Sequence, residues 1–305
     1  MPASALDAEV RSQPDCWLAA ASAAGQHRRL LPAPGERVAV IGCGTSLYIA
    51  RAYAYLRESL GLGLTDAWPA SEARLGRGYD RLIAITRSGT TTEVLDTLGW
   101  FRGRAPVTAI TAPAGTPVYQ LADVIGLPEF DERSVVQTRF ATSALALLRA
   151  HLGEDLSPAI AQARSVLAAP VAELDDVRRA GQVTFVGMGL GAALAEEAAL
   201  KLRESTQAWA EAYYATEYRH GPVSIAEKGR AVWALGPLVP GFADDVAATG
   251  AHLEHTGNDP MAELVRVHLL CLLRAGDLGT DPAHPRHLDR SVILDGAHSA
   301  ASSDQ

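Results

Sequence analysis

The stretch Arg37-Val-Ala-Val-Ile-Gly42, followed by Cys43-Gly-Thr-Ser46, decides the fold of this chain. A short run of apolar, β-branched residues that ends at glycine has the composition of a strand buried in a parallel sheet. Glycine tolerates the backbone angles of a tight turn, and the residues from Leu47 to Leu60 have the composition of a helix. The stretch therefore predicts a strand, a glycine turn and a helix, the unit from which α/β proteins are built.

Strand-like runs recur along the chain, and most of them lead into a helical stretch. Two of those helical stretches begin at Glu93 and Ala192. Strands that alternate with helices predict parallel sheets with a doubly wound topology. The further strand-like runs are Arg81–Thr86, Val107–Ile110, Gln182–Val186 and Ala231–Leu235.

The second part of the chain repeats the first. Gln182–Val186 leads into Gly187-Met-Gly-Leu-Gly191 and a helix, which is the order of features seen at 37–60. Between the two repeats lies a helix-forming region, 155–181. At 305 residues the chain is about twice the usual domain size. We therefore predict two domains of one architecture: residues 1–165 with an N-terminal helix, and residues 166–305 with a C-terminal tail.

Composition excludes several classes of protein. The chain is 48% hydrophobic and 20% charged, which is ordinary for a folded globular protein. No run approaches the roughly 18 apolar residues that a membrane span needs, and residues 1–20 lack the pattern of a signal peptide. We therefore expect a cytoplasmic protein that does not bind a membrane.

The net charge and the positions of the cysteines bear on nucleic-acid binding, disulfides and metal sites. With 27 Lys and Arg against 35 Asp and Glu, the formal net charge of -8 disfavours nucleic acid as a partner. Cys16, Cys43 and Cys271 lie far apart and form no metal-binding pair. We expect no disulfide, no metal site and no organic cofactor.

The glycine turns raise the question of a dinucleotide site. The first turn has Leu47 where the dinucleotide fingerprint needs a small residue. The second turn formally matches through Ala192, yet no acidic residue follows at a second strand end to hold a ribose. A nucleotide-dependent oxidoreductase is therefore disfavoured, and for the second turn a purely structural role remains open.

Hydroxyl side chains follow the first two predicted strands at the point where each strand ends. Thr45 and Ser46 follow the first strand, and Thr86, Ser88 and Thr91 follow the second. Both clusters lie where a parallel sheet opens a crevice and where helix N-termini offer free N–H groups. One such cluster is explained by helix capping alone. Two clusters at equivalent positions predict a phosphate site.

Seven short motifs, in order along the chain, resemble those of the sugar-isomerase (SIS) family. The resemblance is specifically to the isomerase half of glucosamine-6-phosphate synthase and to free-standing phosphosugar isomerases and deaminases. The matching segments, with the family's pattern in brackets, are Glu9–Pro14 (E-I-x-x-Q-P), Gly42–Ser46 (G-C-G-T-S), Thr86–Thr91 (S-Q-S-G-E-T), Ala199–Glu204 (A-L-K-L-K-E), Ala210–Tyr213 (A-E-A-Y), Glu217–Pro222 (E-L-K-H-G-P) and Pro285–Val292 (P-R-N-L-A-K-S-V).

The resemblance implies a fold and a set of site residues. It implies two SIS domains in a homodimer with shared active sites, each domain a five-stranded parallel sheet flanked by helices in a doubly wound, flavodoxin-like or Rossmann-like arrangement. Glu204 matches the family's catalytic base, and His220 matches the histidine that opens the sugar ring and comes from the neighbouring subunit. The residues implied to bind the sugar phosphate are Thr45, Ser46, Thr86, Arg87, Ser88 and Thr91, and those implied near the sugar are Gln137, Thr138, Lys201 and Arg290.

Two positions depart from the family pattern. Arg87 replaces a neutral glutamine of the phosphate loop, where it either strengthens anion binding or pairs outside the site. Arg290 stands where the family has a lysine that forms a Schiff base with the sugar. A guanidinium stays protonated and has no free lone pair for attack on a carbonyl. The substitution therefore predicts chemistry without an enzyme-bound imine.

The candidate catalytic residues also have an ordinary structural interpretation. Glu197, Lys201 and Glu204 share one stripe of a helix, and spacing alone favours a solvated face of salt bridges. His220 is equally compatible with a turn. Exchange between aldose and ketose nevertheless needs a carboxylate that moves a proton between C1 and C2, and a group of near-neutral pKa at the ring oxygen.

We therefore expect an enzyme that isomerises, deaminates or deglycates a hexose or hexosamine 6-phosphate. The alternative is a non-catalytic phosphosugar-binding sensor, which needs only the phosphate loops. Retention of both Glu204 and His220 favours the enzyme.

Overall fold

The computed structural model describes residues 4–294. The first part of the chain forms α1 (Ala5–Ala23), β1 (Val38–Gly42), α2 (Thr45–Ser59), β2 (Thr65–Pro69), β3 (Arg81–Ile85), α3 (Thr92–Phe101), β4 (Val107–Thr111) and β5 (Asp123–Gly126). Its strands pair in parallel in the order β2-β1-β3-β4-β5. This is the strand order of flavodoxin-like folds, in which ligands bind where β1 and β3 lie side by side.

The rest of the chain builds a second sheet of the same kind. It forms α4 (Arg139–His151), α5 (Ser157–Ala168), α6 (Asp175–Arg178), β6 (Val183–Gly187), α7 (Leu190–Thr206), β7 (Ala210–Tyr214), β8 (Ala231–Leu235), α8 (Phe242–Thr249), β9 (His252–Glu254) and α9 (Pro260–Leu278). Within residues 4–294 this sheet has four parallel strands in the order β7-β6-β8-β9. Every strand predicted from the sequence is present, and the α/β class is confirmed.

The prediction of five strands in each sheet is wrong for the second sheet as the structure describes it. After α9 the described residues 279–294 do not return to that sheet but run back over the first half. There the backbone N–H of Val135 donates to the carbonyl of Ala283 at 3.0 Å. Residues 279–294 therefore add no fifth strand to the second sheet. The predicted tail beyond residue 294 lies outside the described residues.

One hydrophobic core joins the two halves. Fully buried side chains of α1, α4, α7 and α9 belong to a single cluster, which includes Trp17, Phe140, Leu194 and Leu270. The predicted domain boundary at 165/166 falls inside α5, and this helix packs on both α1 and α9. The division into two domains therefore stays a prediction.

Two properties of the described residues bear on the expectations from composition. No helix within residues 4–294 is both long and apolar enough to cross a bilayer. In the same part of the chain, no three side chains of His, Cys, Asp or Glu come together as a metal site.

Candidate active site

The glycine turn after β1 places two buried hydroxyls at the start of α2. Gly42 is required there because a Cβ atom on it would lie 2.6 Å from the carbonyl carbon of Ser46. Gly44 adopts a φ of +54°, which favours glycine. Thr45 and Ser46 begin α2 and are each only 3% exposed. Both hydroxyls therefore lie at a helix N-terminus, as the sequence predicted.

The loop after β3 lies beside this turn. Since β1 and β3 are hydrogen-bonded neighbours, their carboxyl ends open into one crevice. Thr86 and Ser88 are buried in the loop, and Thr91 precedes α3 without a side-chain cap hydrogen bond. Gly89 has a φ of +66°, and a Cβ there would overlap Thr116. The hydroxyls predicted to bind phosphate thus occupy two adjacent loops at the switch point of the sheet.

The guanidinium of Arg87 is held by the protein itself. It is buried and donates to three carbonyl oxygens, those of Ser134 (2.8 Å), Val135 (3.0 Å) and Arg290 (3.3 Å). Its Nη1 also lies 3.8 Å from the carboxylate of Glu132. Of the two roles predicted for Arg87, pairing outside the phosphate loop is the one that this geometry matches. A direct phosphate contact from Arg87 stays a prediction.

Glu132 organises the loop before α4. Its buried carboxylate accepts hydrogen bonds from the backbone N–H groups of Thr138 (2.6 Å) and Arg139 (2.8 Å) and from the Thr138 hydroxyl (2.8 Å). Burial raises the pKa of Glu132, although Arg87 opposes the shift. Gln137 and Thr138 were both predicted to lie near the sugar. The Thr138 hydroxyl is occupied by Glu132, whereas the buried side-chain oxygen of Gln137 has no hydrogen-bond partner among the described residues.

The motif at Glu9–Pro14 supports the same loop from α1. The Glu9 carboxylate accepts a hydrogen bond from the backbone N–H of Arg133 at 2.6 Å. The side-chain amide of Gln13 lies 3.0 Å from Nδ1 of His268 on α9, and burial lowers the pKa of His268 to about 3. The motif therefore joins α1 to both halves of the molecule.

The stripe of Glu197, Lys201 and Glu204 on α7 is buried, so the interpretation as a solvated face is wrong. The side chains of Glu197 and Lys201 are 1% exposed, and that of Glu204 is 17% exposed. The Lys201 ammonium lies 2.5 Å from Glu204 Oε2 and 3.5 Å from Glu197 Oε1. The polar stripe meets protein rather than water because α7 packs against α2 of the first half as well as against its own sheet.

Burial and neighbouring charges both shift the pKa values of Glu197 and Lys201. Burial raises the pKa of Glu197 to about 8, with Lys201 opposing the shift and Glu204 adding to it. Burial lowers the pKa of Lys201, but the two carboxylates outweigh burial and leave that pKa raised. The Thr45 side chain also acts to lower the pKa of Glu197, against the effect of burial. Since α2 packs against α7, the carboxylate stripe of the second half lies against the helix that follows the phosphate turn of the first.

His220 lies apart from these groups in the single chain. It is exposed, in the turn before Pro222, and its backbone N–H donates to the carbonyl of Glu217 at 2.9 Å. Within residues 4–294 its side chain makes no hydrogen bond or ion pair, with Glu204 or with any other residue. The role predicted for His220, which requires a neighbouring subunit, stays a prediction.

The C-terminal segment 290–294 lies against the loop after β3. Arg290 is fixed by an ion pair to Asp131 and a hydrogen bond to the carbonyl of Glu132. The hydroxyl of Ser291 lies 2.9 Å from that of Thr90. Arg290 is thus a fixed cation beside the loops.

Sequence reasoning missed Glu132 and Ser291 as residues of this site. No local signal marks Glu132, because it binds backbone groups six residues further along the chain. Ser291 lies in a recognised motif, but a motif match does not show which groups its hydroxyl contacts.

The chain is similar in sequence to glutamine–fructose-6-phosphate aminotransferase (isomerizing) from Methanothermobacter thermautotrophicus. The two are 27% identical over an alignment of length 307, which covers 85% of this chain. It spans about half, 52%, of the length of that relative. No family model matches the chain.

Solved structures share the whole fold. Glucosamine-6-phosphate deaminase from Thermotoga maritima matches with a TM-score of 0.82 at 23% identity, covering 95% of this chain and 100% of that one. Tagatose-6-phosphate ketose/aldose isomerase from Escherichia coli matches with a TM-score of 0.75 at 17% identity, covering 95% and 96%.

The described residues define an α/β protein with a parallel sheet on each side of a shared core and two adjacent hydroxyl loops at the first sheet. The resemblance to the sugar-isomerase family, and within it to the isomerase half of the aminotransferase, is confirmed by these relatives.

Proposed function

We propose that this chain is an enzyme that transfers a proton on a hexose or hexosamine 6-phosphate, as an isomerase, a deaminase or a deglycase. The observation that carries the proposal is the junction between the two halves, where α2, which begins with Thr45 of the phosphate turn, packs against α7, which carries the carboxylate stripe. Glu204 lies two helical turns from Glu197, about 10 Å along the axis of α7. A sugar anchored by its phosphate at the turn extends along α7 toward Glu204.

The phosphate is bound by hydroxyls and helix N-termini rather than by free cations. The turn after β1 and the loop after β3 each lead into a helix, and the N–H groups and positive dipole end of a helix N-terminus attract a dianion. Local donors are needed because the whole chain carries a formal charge of -8. The groups proposed to bind phosphate are the hydroxyls of Thr45, Ser46, Thr86, Ser88 and Thr91.

Glu204 is the proposed base because it is the accessible carboxyl group of the stripe. Its side chain is 17% exposed, whereas that of Glu197 is 1% exposed, and the Lys201 ammonium fixes it at a distance of 2.5 Å. In the proposed step Glu204 accepts a proton from one of the C1 and C2 carbons and returns it to the other through an enediol. His220 from a neighbouring subunit serves the ring oxygen.

Two finer features of the family belong to the same proposal. The chain consists of two SIS domains, 1–165 and 166–305, and forms a homodimer with shared sites. The shared strand order of the two sheets supports the two domains. The exposed position of His220 supports the shared sites of a homodimer, because a residue that completes a neighbour's site must lie at the surface of its own subunit.

No enzyme-bound imine forms in the proposed mechanism. Lys201 and Lys228 are the only lysines of the chain, and the ammonium of Lys201 is held between the carboxyl groups of Glu197 and Glu204. Borohydride treatment with fructose 6-phosphate, followed by measurement of the intact mass, should leave the mass unchanged. A reduced sugar adduct on either lysine would contradict this part of the proposal.

Calorimetry with fructose and fructose 6-phosphate tests the proposed binding. We expect only the phosphorylated sugar to bind, and Ser88→Ala to weaken its binding by about 1.5–3 kcal/mol, the value of one charge-assisted hydrogen bond. Ser165→Ala, on the exposed face of α5, is the matched control and should bind as the wild type does. Equal affinity for the two sugars would refute the phosphate site.

Product analysis on hexose and hexosamine 6-phosphates tests the proposed activity. Aldose–ketose exchange, ammonia release or amine release distinguishes the isomerase, deaminase and deglycase. Saturable binding without any product would support the sensor and contradict the enzyme.

A further inference from the structure

The C-terminal segment Arg290–Leu294, here called the strap, uses the donors that a phosphate would need. The hydroxyl of Ser291 lies within hydrogen-bond distance of three hydroxyls of the loop after β3. The partners are Thr90 (2.9 Å), Ser88 (3.2 Å) and Thr91 (3.5 Å). One strap hydroxyl therefore lies at the centre of the hydroxyl cluster.

The strap also covers the N-terminus of α3. The backbone N–H of Thr92, the first residue of the helix, donates to the carbonyl of Val292 at 3.1 Å. The backbone N–H of Leu294 in turn donates to the Thr92 hydroxyl at 2.9 Å. An N–H group in the first turn of a helix is among the donors that bind an anion, and here the strap is its acceptor.

The strap is fixed by polar contacts at Arg290, whereas its apolar side chains further along are largely exposed. Arg290 pairs with Asp131, and its carbonyl accepts a hydrogen bond from Arg87. Val292, Ile293 and Leu294 are 54%, 67% and 52% exposed. A segment with few buried apolar contacts opens at low free-energy cost.

We propose that the strap occupies the phosphate subsite of the unliganded protein and that a phosphate must displace Ser291 to bind. This rests on the proposed function, because it takes the loop after β3 as the phosphate subsite. A loop hydroxyl that is hydrogen-bonded to Ser291 cannot donate the same proton to a phosphate dianion. Charge-assisted hydrogen bonds to the dianion are stronger than neutral bonds between hydroxyls, so the ligand displaces the strap.

The strap is closed when Ser291 occupies the phosphate subsite and open when it does not. Only the molecules with an open strap bind ligand, so the closed state reduces the apparent affinity. Ser291→Ala removes the hydroxyl that fills the subsite and leaves every loop hydroxyl in place. Calorimetry with fructose 6-phosphate should show binding about threefold to tenfold tighter than in the wild type, the fold-change for loss of one or two neutral hydrogen bonds from the closed state. Ser165→Ala is the matched control and should bind as the wild type does.

The other outcomes are distinct. Weaker binding by Ser291→Ala would show that Ser291 contacts the bound phosphate, and unchanged binding would show that the strap is not coupled to it; both overturn the displacement. Ser46→Ala separates this failure from failure of the proposed function, because Ser46 belongs to the other loop and has no hydrogen bond to the strap among the described residues. If Ser46→Ala weakens binding while Ser291→Ala changes nothing, only the strap proposal fails. Absence of binding by every variant overturns both.

Hydrogen–deuterium exchange gives a second test that does not depend on a variant. Inorganic phosphate carries the anion without the sugar, so it should accelerate exchange in the peptide that contains Leu294, whose N–H is bonded to Thr92 in the closed state. The peptide covering α5 should not change. Slower exchange of the strap on addition of phosphate would mean that the strap closes over the ligand, and would overturn the proposal.

Discussion

The two glycine turns of the molecule have the same backbone and different surroundings. In Gly42–Ser46 and in Gly187–Gly191 the middle glycine has a φ of +54°, and the first glycine has no room for a Cβ against the following helix. The difference lies in the next two side chains, which are Thr45 and Ser46 in the first turn and Leu190 and Gly191 in the second. The turn itself is therefore a device for connecting strand to helix, and it does not make a phosphate site.

The second turn is packed closely against β8 and α9. A Cβ on Gly191 would overlap the carbonyl oxygen of Leu235 at the end of β8. A Cβ on Gly236 would lie 3.3 Å from the ring of Pro260, where α9 begins. No hydroxyl follows β8 directly, since Gly236 and Pro237 come next. The first half thus provides the hydroxyls, and the second half contributes through the carboxylates of α7.

The largest effect is expected from a substitution that removes the catalytic contribution of the second half. Glu204→Gln should lower turnover by about 10²- to 10⁴-fold, because the amide keeps the shape of the side chain and loses the base. Calorimetry should show that fructose 6-phosphate still binds, since the phosphate loops belong to the first half. Glu196→Gln, on the same helix, is the matched control; loss of turnover there, or full activity of Glu204→Gln, would contradict the assignment.

Mixing two inactive variants tests whether one subunit completes the site of another. Glu204→Gln and His220→Ala, unfolded and refolded together, should recover about one quarter of wild-type activity, since half of the dimers are mixed and each mixed dimer has one intact site. Each variant refolded alone is the control. If the mixture is no more active than its components, the two residues act within one chain or the protein is not a dimer.

Equivalent positions of the two turns should respond in opposite ways. Ser46→Ala should weaken binding of fructose 6-phosphate by about 1.5–3 kcal/mol without a change in melting temperature, because a bond to the dianion is lost. Gly191→Ala should lower the free energy of unfolding by about 2–3 kcal/mol and leave affinity unchanged, because the new Cβ meets a backbone carbonyl. Thermal melts and calorimetry of both proteins measure this. A loss of affinity in Gly191→Ala would mean that the second turn also contacts ligand.

The last expected effect concerns pH and is small at any one pH step. The pKa of Glu197 is raised to about 8 from an ordinary value of 4.5, so between these values the folded protein holds a proton that the unfolded chain has lost. Its stabilising contribution is complete below about pH 4.5 and is lost as pH rises through 8. Glu197→Gln should therefore flatten the fall in the free energy of unfolding between pH 5 and 8, whose slope from this one group is at most about 1.4 kcal/mol per pH unit. Parallel pH profiles of variant and wild type would contradict the raised pKa.

The strands that the sequence predicted are those that lie inside the two sheets: β1, β3, β4, β6 and β8. The strands that it did not predict are the edges: β2, β5, β7 and β9. An inner strand of a parallel sheet is buried on both faces and reads as a continuous apolar run. An edge strand such as Thr65-Asp-Ala-Trp-Pro69 is half exposed and needs no such run. Its identity as a strand depends on pairing with a neighbour.

The candidate site divides in the same way. The sequence by itself determined the hydroxyls of the two loops, because strand ends, glycine turns and helix starts are set by residues a few positions apart. Only the tertiary structure decided that Glu197 is buried, that Arg87 binds the carbonyl of Arg290, and that Ser291 lies among the loop hydroxyls. Arg87 and Arg290 are 203 residues apart. Burial and pairing of this kind depend on which distant segment packs against a residue, and no local pattern of the chain contains that information.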